Sequence, residues 1–291
     1  MTSHSFFQIN WGNHTLSMGP KTLVMGILNI TPDSFSDGGK FIRYETALSH
    51  AEQMVQDGAD IIDIGGESTR PFSDPVPAAE EIKRVVPVIK ALAGHIAVPV
   101  SIDTTKAEVA RKALEAGASM INDVSAMRQD PDMVQVAAEA KVPVILMHML
   151  GTPKTMQKTP VYQDLVKEIR DFLHHAVQSA MDNGIDESKI IIDPGIGFGK
   201  TFDHNFQLLK HIHEFQNLKV PILVGPSRKA FIRNKLGELK NKEPAPDSPV
   251  VETGTQAAIA ACALSGVHIV RCHHVANTCA TLKIIDAIRN A

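Results

Sequence analysis

The sequence predicts one α/β domain folded as a closed (β/α)₈ (TIM) barrel with a short N-terminal hairpin. Eight short apolar runs rich in Val and Ile recur along the chain, each followed by a polar or glycine-containing turn. A helical pattern separates each run from the next, and no linker or composition break interrupts the series. The length of 291 residues is that of a single barrel of this kind. Strands buried on both faces of a parallel sheet read as near-continuous apolar runs, and eight consecutive βα units favour closure over an open doubly wound sheet.

Residues 1–19 are expected to form a hairpin or cap, carried by Phe6–Leu16, ahead of a barrel domain over residues 20–291. The predicted strands are Leu23–Ile30, Ile61–Gly65, Pro99–Asp103, Met120–Asp123, Pro143–Met147, Ile190–Asp193, Pro221–Val224 and His268–Arg271. Eight helices should alternate with them. Over Ala78–Ala93, the residues Ile82, Val85, Val86, Ile89 and Leu92 make one apolar stripe, and Pro87 is expected to kink that helix. Thr105 and Glu108 have capping-box spacing, and Asp130 before Pro131 reads as an N-cap followed by proline at the first helical position. The last helix, Val275 to Arg289, puts Val275, Cys279, Leu282 and Ile285 on one face. Glu238–Pro249, rich in proline and charge, reads as the one disordered stretch.

Composition excludes several function classes. A net charge of −3 supplies no basic field for nucleic acid or an acidic membrane surface, so any bound anion must be held by a local cluster. No apolar run reaches the ~18–20 residues of a membrane span, and Met1–Leu16 lacks the apolar core of a signal peptide. The three cysteines, Cys262, Cys272 and Cys279, form no C-x-x-C pair. The expected compartment is the reducing cytoplasm.

Polar residues collect where a barrel core should be apolar. Asn29 ends the first strand; Asp63 and Gly65–Pro71 follow the second. Asp103 ends the third, Asn122 and Asp123 the fourth, and Met147-His148-Met149 the fifth. Asp193–Lys200 follows the sixth, Gly225–Lys229 the seventh, and Arg271-Cys272-His273 ends the eighth. All eight ends converge on one mouth, the face on which such barrels build their active sites. Asp103, Asn122, Asp193 and Lys229 alternate acceptors and donors, as the edge of a flat nitrogen-rich heterocycle requires. Arg70, Arg271 and His273 with Asn29 form an oxyanion set: guanidinium forks match phosphate oxygens, and an amide oxygen suits Mg²⁺ bridging a diphosphate. The Ser227-Arg228-Lys229 turn opens a helix whose free N–H groups suit a second anion such as a carboxylate. His148 reads as a packed or hydrogen-bonded strand-end residue, and Cys272, alternating with Arg271 and His273, should point away from the mouth. The adjacent His273 and His274 have no third partner at zinc spacing, and Asp193–Lys200 does not meet the dinucleotide-binding pattern.

The motifs NITPDSFSDGG (Asn29–Gly39), GGESTRP (Gly65–Pro71), SIDT (Ser101–Thr104), IND (Ile121–Asp123), DPGIGFGK (Asp193–Lys200), SRK (Ser227–Lys229) and RxH (Arg271–His273) occur in the order found in one enzyme family. Over about residues 20–290 the chain resembles the dihydropteroate synthases, the sulfonamide-inhibited transferases of folate biosynthesis. That resemblance implies condensation of 7,8-dihydropterin-6-ylmethyl diphosphate with p-aminobenzoate. It implies that Asp103, Asn122, Met147, Asp193, Phe198 and Lys229 hold the pterin. Asn29, Arg70, Arg271 and His273 would hold the diphosphate, with Asn29 on the Mg²⁺ cofactor. Phe35, Thr69, Pro71, Phe198, Ser227 and Lys229 would line the p-aminobenzoate pocket. Asp103, Lys229, Asp37 and Arg70 would serve catalysis, Asp37 closing over the assembled site. It further implies a homodimer whose partners are small-molecule substrates, with neither nucleic acid nor membrane.

Three positions depart from the family pattern: Phe72 in place of glycine after STRP, His274 in place of aspartate after the histidine, and Val250–Thr253 without an arginine. The alternative reading is a methyltetrahydrofolate-binding barrel that passes a methyl group to a corrinoid. It shares the strand-end Asp and Asn but has no use for Arg70, Arg271 and the Ser227–Lys229 turn.

Overall fold

In sequence, the alternation of buried and exposed residues over Phe7–Met18 has a period of two, and the hairpin follows from it. Strand β1 (Phe7–Trp11) pairs antiparallel with β2 (His14–Met18), from Phe7↔Met18 to Trp11↔His14. Gly12, at φ 48°, lets the connection turn in two residues. Ile9, Trp11, Leu16 and Met18 enter the core. The Phe7 ring packs edge-on against His268 at 4.9 Å, and His268 Nδ1 accepts from Ile222 N. The hairpin therefore plugs the end of the barrel at which the strands begin. A computed structural model describes residues 5–30, 40–69, 73–238 and 241–291, residues 40–43 by their backbone alone.

The barrel strands are β3 (Leu23–Asn29), β4 (Ile61–Gly65), β5 (Val100–Asp103), β6 (Met120–Asp123), β7 (Val144–Met147), β8 (Ile190–Asp193), β9 (Leu223–Val224) and β10 (Ile269–Cys272). All pair in parallel, in the order β8-β7-β6-β5-β4-β3-β10-β9. A parallel bridge between Ile192 and Ile222 joins the two edges, with Ile192 N donating to Pro221 O at 2.9 Å. The ring is closed, as the eight apolar runs predict.

The helices are α1 (Lys40–Gln56), α2 (Ala78–Leu92), α3 (Ala107–Glu115), α4 (Met133–Ala140), α5 (Leu165–Asp182), α6 (Phe202–Lys210), α7 (Ala230–Gly237), α8 (Pro249–Leu264) and α9 (Val275–Arg289). Nine α-helices are thus present among the described residues, not eight. The β9–β10 connection is split in two by the proline-rich segment between Glu238 and Pro249. Disorder was the expectation there, yet Arg233 pairs with Glu243 at 2.8 Å and Lys242 N donates to Gly237 O. Pro249 starts α8, where a missing N–H costs nothing.

Other local expectations are revised. No Thr105–Glu108 capping box forms: α3 starts one residue later, with Lys106 in the cap position, and its first N–H, on Ala107, is capped by Asp130 Oδ2 at 2.8 Å. Asp130 also accepts from Asp132 N, so it closes the turn before α4 and caps a neighbouring helix together. Helix α2 runs unbroken through Pro87. Its buried face is Glu81, Val85, Val88, Ile89 and Leu92, rotated from the predicted stripe so that a carboxylate lies inside.

Candidate active site

Strand register builds the first part of the mouth. Asn29 is level with Gly65, Gly65 with Asp103, and Asp103 with Asn122; on the far side Met147 is level with Asp193. Arg271 reaches across the top from β10. Its Nε donates to Asp63 Oδ2 at 2.6 Å and its Nη2 to Asp103 Oδ2 at 2.7 Å. Asn122 Nδ2 donates to the same Asp63 oxygen at 3.0 Å. The other oxygens, Asp63 Oδ1 and Asp103 Oδ1, are buried with no partner among the described residues. A buried orphan acceptor costs about 1–3 kcal/mol, which a ligand N–H at the mouth would recover. Burial drives the Asp103 carboxyl up to about 7 against the pull of Arg271, with Asp63, Glu81 and Asp123 adding to the rise.

The Asp193–Lys200 turn builds the second part. Asp193 Oδ1 accepts from Gly195 N at 2.7 Å. Burial raises its carboxyl to about 6, opposed by that N–H and by Lys229, Lys200 and Arg271. A β-carbon on Gly195 would stand 1.9 Å from His148 O, at φ 71°, so only glycine fits. At Gly197, φ 84°, a β-carbon would press the Lys229 stem at 3.0 Å. The missing side chain lets that stem lie over the turn, placing Lys229 Nζ 4.0 Å above the Phe198 ring. Asn205 Oδ1 holds Gly197 N at 2.6 Å, Gln157 donates to Gly197 O, and Tyr162 to Gly199 O. The floor beneath Asp193 is thus rigid.

The third part flanks Ser227. Its Oγ lies 2.9 Å from His273 Nδ1 and accepts from His273 N at 3.2 Å. The N–H groups of Arg228 and Lys229 are not free for an anion, contrary to expectation. Arg228 N donates to Thr255 Oγ1 and Lys229 N to Pro226 O, as Arg228 turns through φ 59°. Cys272 is fully buried, facing away as its alternation with Arg271 predicts. Next to Asp103 a cleft of about 240 Å³ opens among Glu67, Thr69, Glu81, Thr105 and Thr152. One wall is a charged cluster around buried Glu81: half-buried Lys106 donates to Glu81 at 2.6 Å and to Glu67. Burial raises the Glu81 carboxyl, which Lys106 and Thr104 counter.

Of the sequence-predicted residues, Asp103, Asn122, Met147, Asp193, Phe198, Lys229, Asn29, Thr69, Ser227, Arg271 and His273 all lie at the strand ends or first turns of this one face. Phe35, Asp37, Arg70, Pro71 and Phe72 lie outside the described residues. Arg271, read from sequence as an oxyanion ligand, is committed through two of its nitrogens to Asp63 and Asp103. Sequence places Asp63 among the polar strand ends and Lys200 at the end of the Asp193–Lys200 motif but gives neither a role, and Glu81 is not named at all. Asp123, at the same level as the mouth, accepts from Ser125 N, Ser125 Oγ and Met127 N and serves its own turn.

Among the described residues no group of three or more His, Cys, Asp or Glu is arranged to hold a metal. A hard cation here must share substrate and water oxygens with one or two protein oxygens, which is how Mg²⁺ is usually bound. The site offers that much. The place a Gly65 β-carbon would fill lies 3.7 Å from Asn29 Oδ1 and 3.6 Å from Asp103 Oδ2.

Residues 25–273 match the family described as pterin binding enzyme. The dihydropteroate synthase of Synechocystis sp. is 47% identical over 277 residues, spanning 95% of this chain and 93% of that protein. That of Escherichia coli K12 is 42% identical over 268 residues, 92% of each. Among solved structures, Xanthomonas albilineans dihydropteroate synthase with 4-aminobenzoic acid superposes with a TM-score of 0.89 at 41% identity, covering 99% of this chain and 100% of that one. The same enzyme in complex with 7,8-dihydropteroate gives 0.85 at 40% identity, covering 98% and 99%. Sequence, fold and the arrangement of the mouth agree, and the chain belongs to the pterin-binding enzymes, within them to the dihydropteroate synthases.

Proposed function

We infer that this chain is a transferase that joins 7,8-dihydropterin-6-ylmethyl diphosphate to p-aminobenzoate, giving 7,8-dihydropteroate and diphosphate. The observation that carries the reading is the convergence of buried Asp103, Asn122 and Asp193 with half-buried Lys229 on one face, with Asp103 Oδ1 unpartnered among the described residues. In the reaction the carbon–oxygen bond to diphosphate breaks, a carbon–nitrogen bond to the arylamine forms, and the nitrogen releases a proton.

We propose that the pterin lies on the floor made by Met147, Phe198 and the Lys229 stem. Its ring N–H groups donate to Asp193 and Asp103, and Asn122 and Lys229 meet its remaining edge. Positive charge developing on the pterin is stabilised by the Asp103 carboxylate, which Arg271 orients. Bond breaking ahead of attack suits this site, because a weakly basic arylamine needs no strong general base. The diphosphate is assigned to Asn29, Arg70, His273 and the remaining edge of Arg271. The p-aminobenzoate is assigned to Phe35, Thr69, Pro71, Phe198, Ser227 and Lys229, and Asp37 and Arg70 complete the catalytic set. Mg²⁺, with Asn29 as its protein ligand, supplies charge to the leaving diphosphate when bound. Incubation with both substrates and Mg²⁺, assayed for dihydropteroate and diphosphate, tests the reaction; pterin binding without product would reject catalysis.

Two coarser properties extend the reading. No helix among the described residues is long and apolar enough to cross a membrane. The free thiols of Cys262, Cys272 and Cys279 support a reducing cytoplasmic location. Exposed Leu264 on α8, with Ile284 and Ile288 on α9, supports a homodimer through the C-terminal helices. Sedimentation as a monomer at micromolar concentration would contradict that assembly.

A further inference from the structure

Lys200 ends the Asp193–Lys200 turn and has no part in the reaction as derived above. Its side chain is 2% exposed, and an unpaired ammonium is among the costliest groups to bury. The turn gives it specific partners. Nζ donates to Phe198 O at 2.9 Å and lies 3.0 Å from His148 Nδ1. The imidazole is itself locked. Its ring meets Phe172 edge-on at 4.9 Å and packs near Tyr162, and burial with Lys200 and Arg128 pushes its pKa down to about 2. His148 is therefore neutral and takes the lysine proton donor on Nδ1, leaving the hydrogen on Nε2. Neither partner is an anion.

Among the described residues, Asp193 is the opposite charge that acts on Lys200. Burial lowers the Lys200 pKa to about 7, Asp193 opposes that fall, and Lys229 adds to it. The charged groups that act on this pair are few. Lys229 at the start of α7 and Arg271 on β10 act on Asp193 with Lys200, and Arg128 acts on His148. On α8, Cys262 is a thiol raised to about 12 by burial, then by Asp193. Lys229 and Arg271 lie at the ligand face, whereas Lys200 lies beneath it, out of solvent.

We propose that Lys200 is a positioning residue for the pterin subsite: its buried ammonium is the counter-charge beneath Asp193, and its bond to the Phe198 carbonyl fixes the ring on which the pterin rests. The inference rests on the assignment of Asp193 to the pterin. Asp193 accepts pterin N–H groups only as a carboxylate. Burial alone favours its neutral form, and Lys200 holds it ionised in the acid half of the neutral range. Above about pH 7 the ammonium loses its proton, and there Asp193 no longer needs it.

The test is the pH dependence of binding of 6-hydroxymethyl-7,8-dihydropterin, which lacks the titrating diphosphate, to the full chain by calorimetry. In the wild type, affinity should fall in two steps as pH drops, through about 7 as Asp103 takes up a proton and through about 6 as Asp193 does. In Lys200→Gln, which keeps an N–H donor but no charge, and in Lys200→Met, the lower step should move up by about one pH unit or more and merge with the upper one. Affinity at pH 8.5 should stay within a few-fold of wild type in Lys200→Gln, and Lys200→Arg should keep the wild-type position. An acid limb that stays in place in both uncharged variants overturns the inference and gives Lys200 a packing role only. No pterin binding by the wild type at any pH would instead reject the pterin reading itself. Should neither uncharged variant fold, ¹⁵N NMR of lysine side chains in the wild type at pH 7 decides. Pterin binding should raise the protonated share of Lys200, and an unchanged share overturns the proposal.

Discussion

Replacing Arg271 by methionine keeps the volume near the mouth and removes the charge that spans Asp63 and Asp103. Two charge-assisted bonds of 2.6 and 2.7 Å disappear, and both carboxylates stay buried. Removing one partner from a buried ion pair costs about 3–5 kcal/mol. The alternative open to the protein is to protonate Asp103. The folded carboxyl already stands at about 7, so protonation costs about 1.4 kcal/mol per pH unit above that value. That route therefore needs about 1.4 kcal/mol at pH 8 and nothing at pH 5, and what remains at pH 8 is the cost of leaving the buried Asp63 without its guanidinium. The sign follows from the raised folded value: the folded state takes up a proton more readily than the unfolded chain. Stability therefore rises as pH falls through about 7 toward 3.8, and rises more steeply in the variant. Urea unfolding followed by circular dichroism should show a loss of several kcal/mol at pH 8 that shrinks below about 2 at pH 5. An equal loss at both pH values would refute the charge argument.

Asp193→Asn exchanges half of the carboxylate's acceptor capacity for a donor and should weaken pterin binding by about 1.5–3 kcal/mol, roughly 10- to 150-fold, with the melting temperature little changed; wild-type affinity and turnover would remove Asp193 from the site. Turnover of the wild type should climb with pH between about 6 and 7, because Asp193 and Asp103, raised to those values by burial, act as carboxylates; a flat profile from pH 5.5 to 7.5 would contradict this. p-Aminobenzoate should bind weakly to the free enzyme and more tightly once pterin and Mg²⁺-diphosphate are present, since half of its assigned residues, Phe35, Thr69 and Pro71, come from the segments after β3 and β4. The coupling must be reciprocal, and equal calorimetric affinity with and without the first ligands would reject ordered assembly.

The barrel was legible because strands buried on both faces leave near-continuous apolar runs, and each of the eight predicted runs became a strand. The polar ends of those runs were legible for the complementary reason: Asp103, Asn122 and Asp193 break an apolar pattern at positions where all chains converge. What stayed hidden depends on contacts distant in sequence. Arg271 meets Asp63 and Asp103 across 208 and 168 positions, so its commitment to carboxylates leaves no local trace. Glu81 lies on the buried face of α2 because Lys106, from another βα unit, reaches it; the apolar stripe alone predicts a different rotation. Lys200 closes the Asp193–Lys200 motif in sequence, and only the folded turn brings its ammonium to the Phe198 carbonyl. Thr105 and Glu108 show the converse. Their spacing is right for a capping box, but Asp130 from the neighbouring unit supplies the cap.

The central claim, that the face formed by Asp103, Asn122, Asp193 and Lys229 receives the pterin, is tested most directly by a crystal structure with the dihydropterin diphosphate bound. The ring should lie over Phe198 with its N–H edge within about 2.7–3.2 Å of Asp193 and of Asp103 Oδ1, the oxygen that now lacks a partner. A pterin seated instead in the cleft between Glu67 and Thr152, with Asp103 Oδ1 still unpartnered, would contradict the assignment.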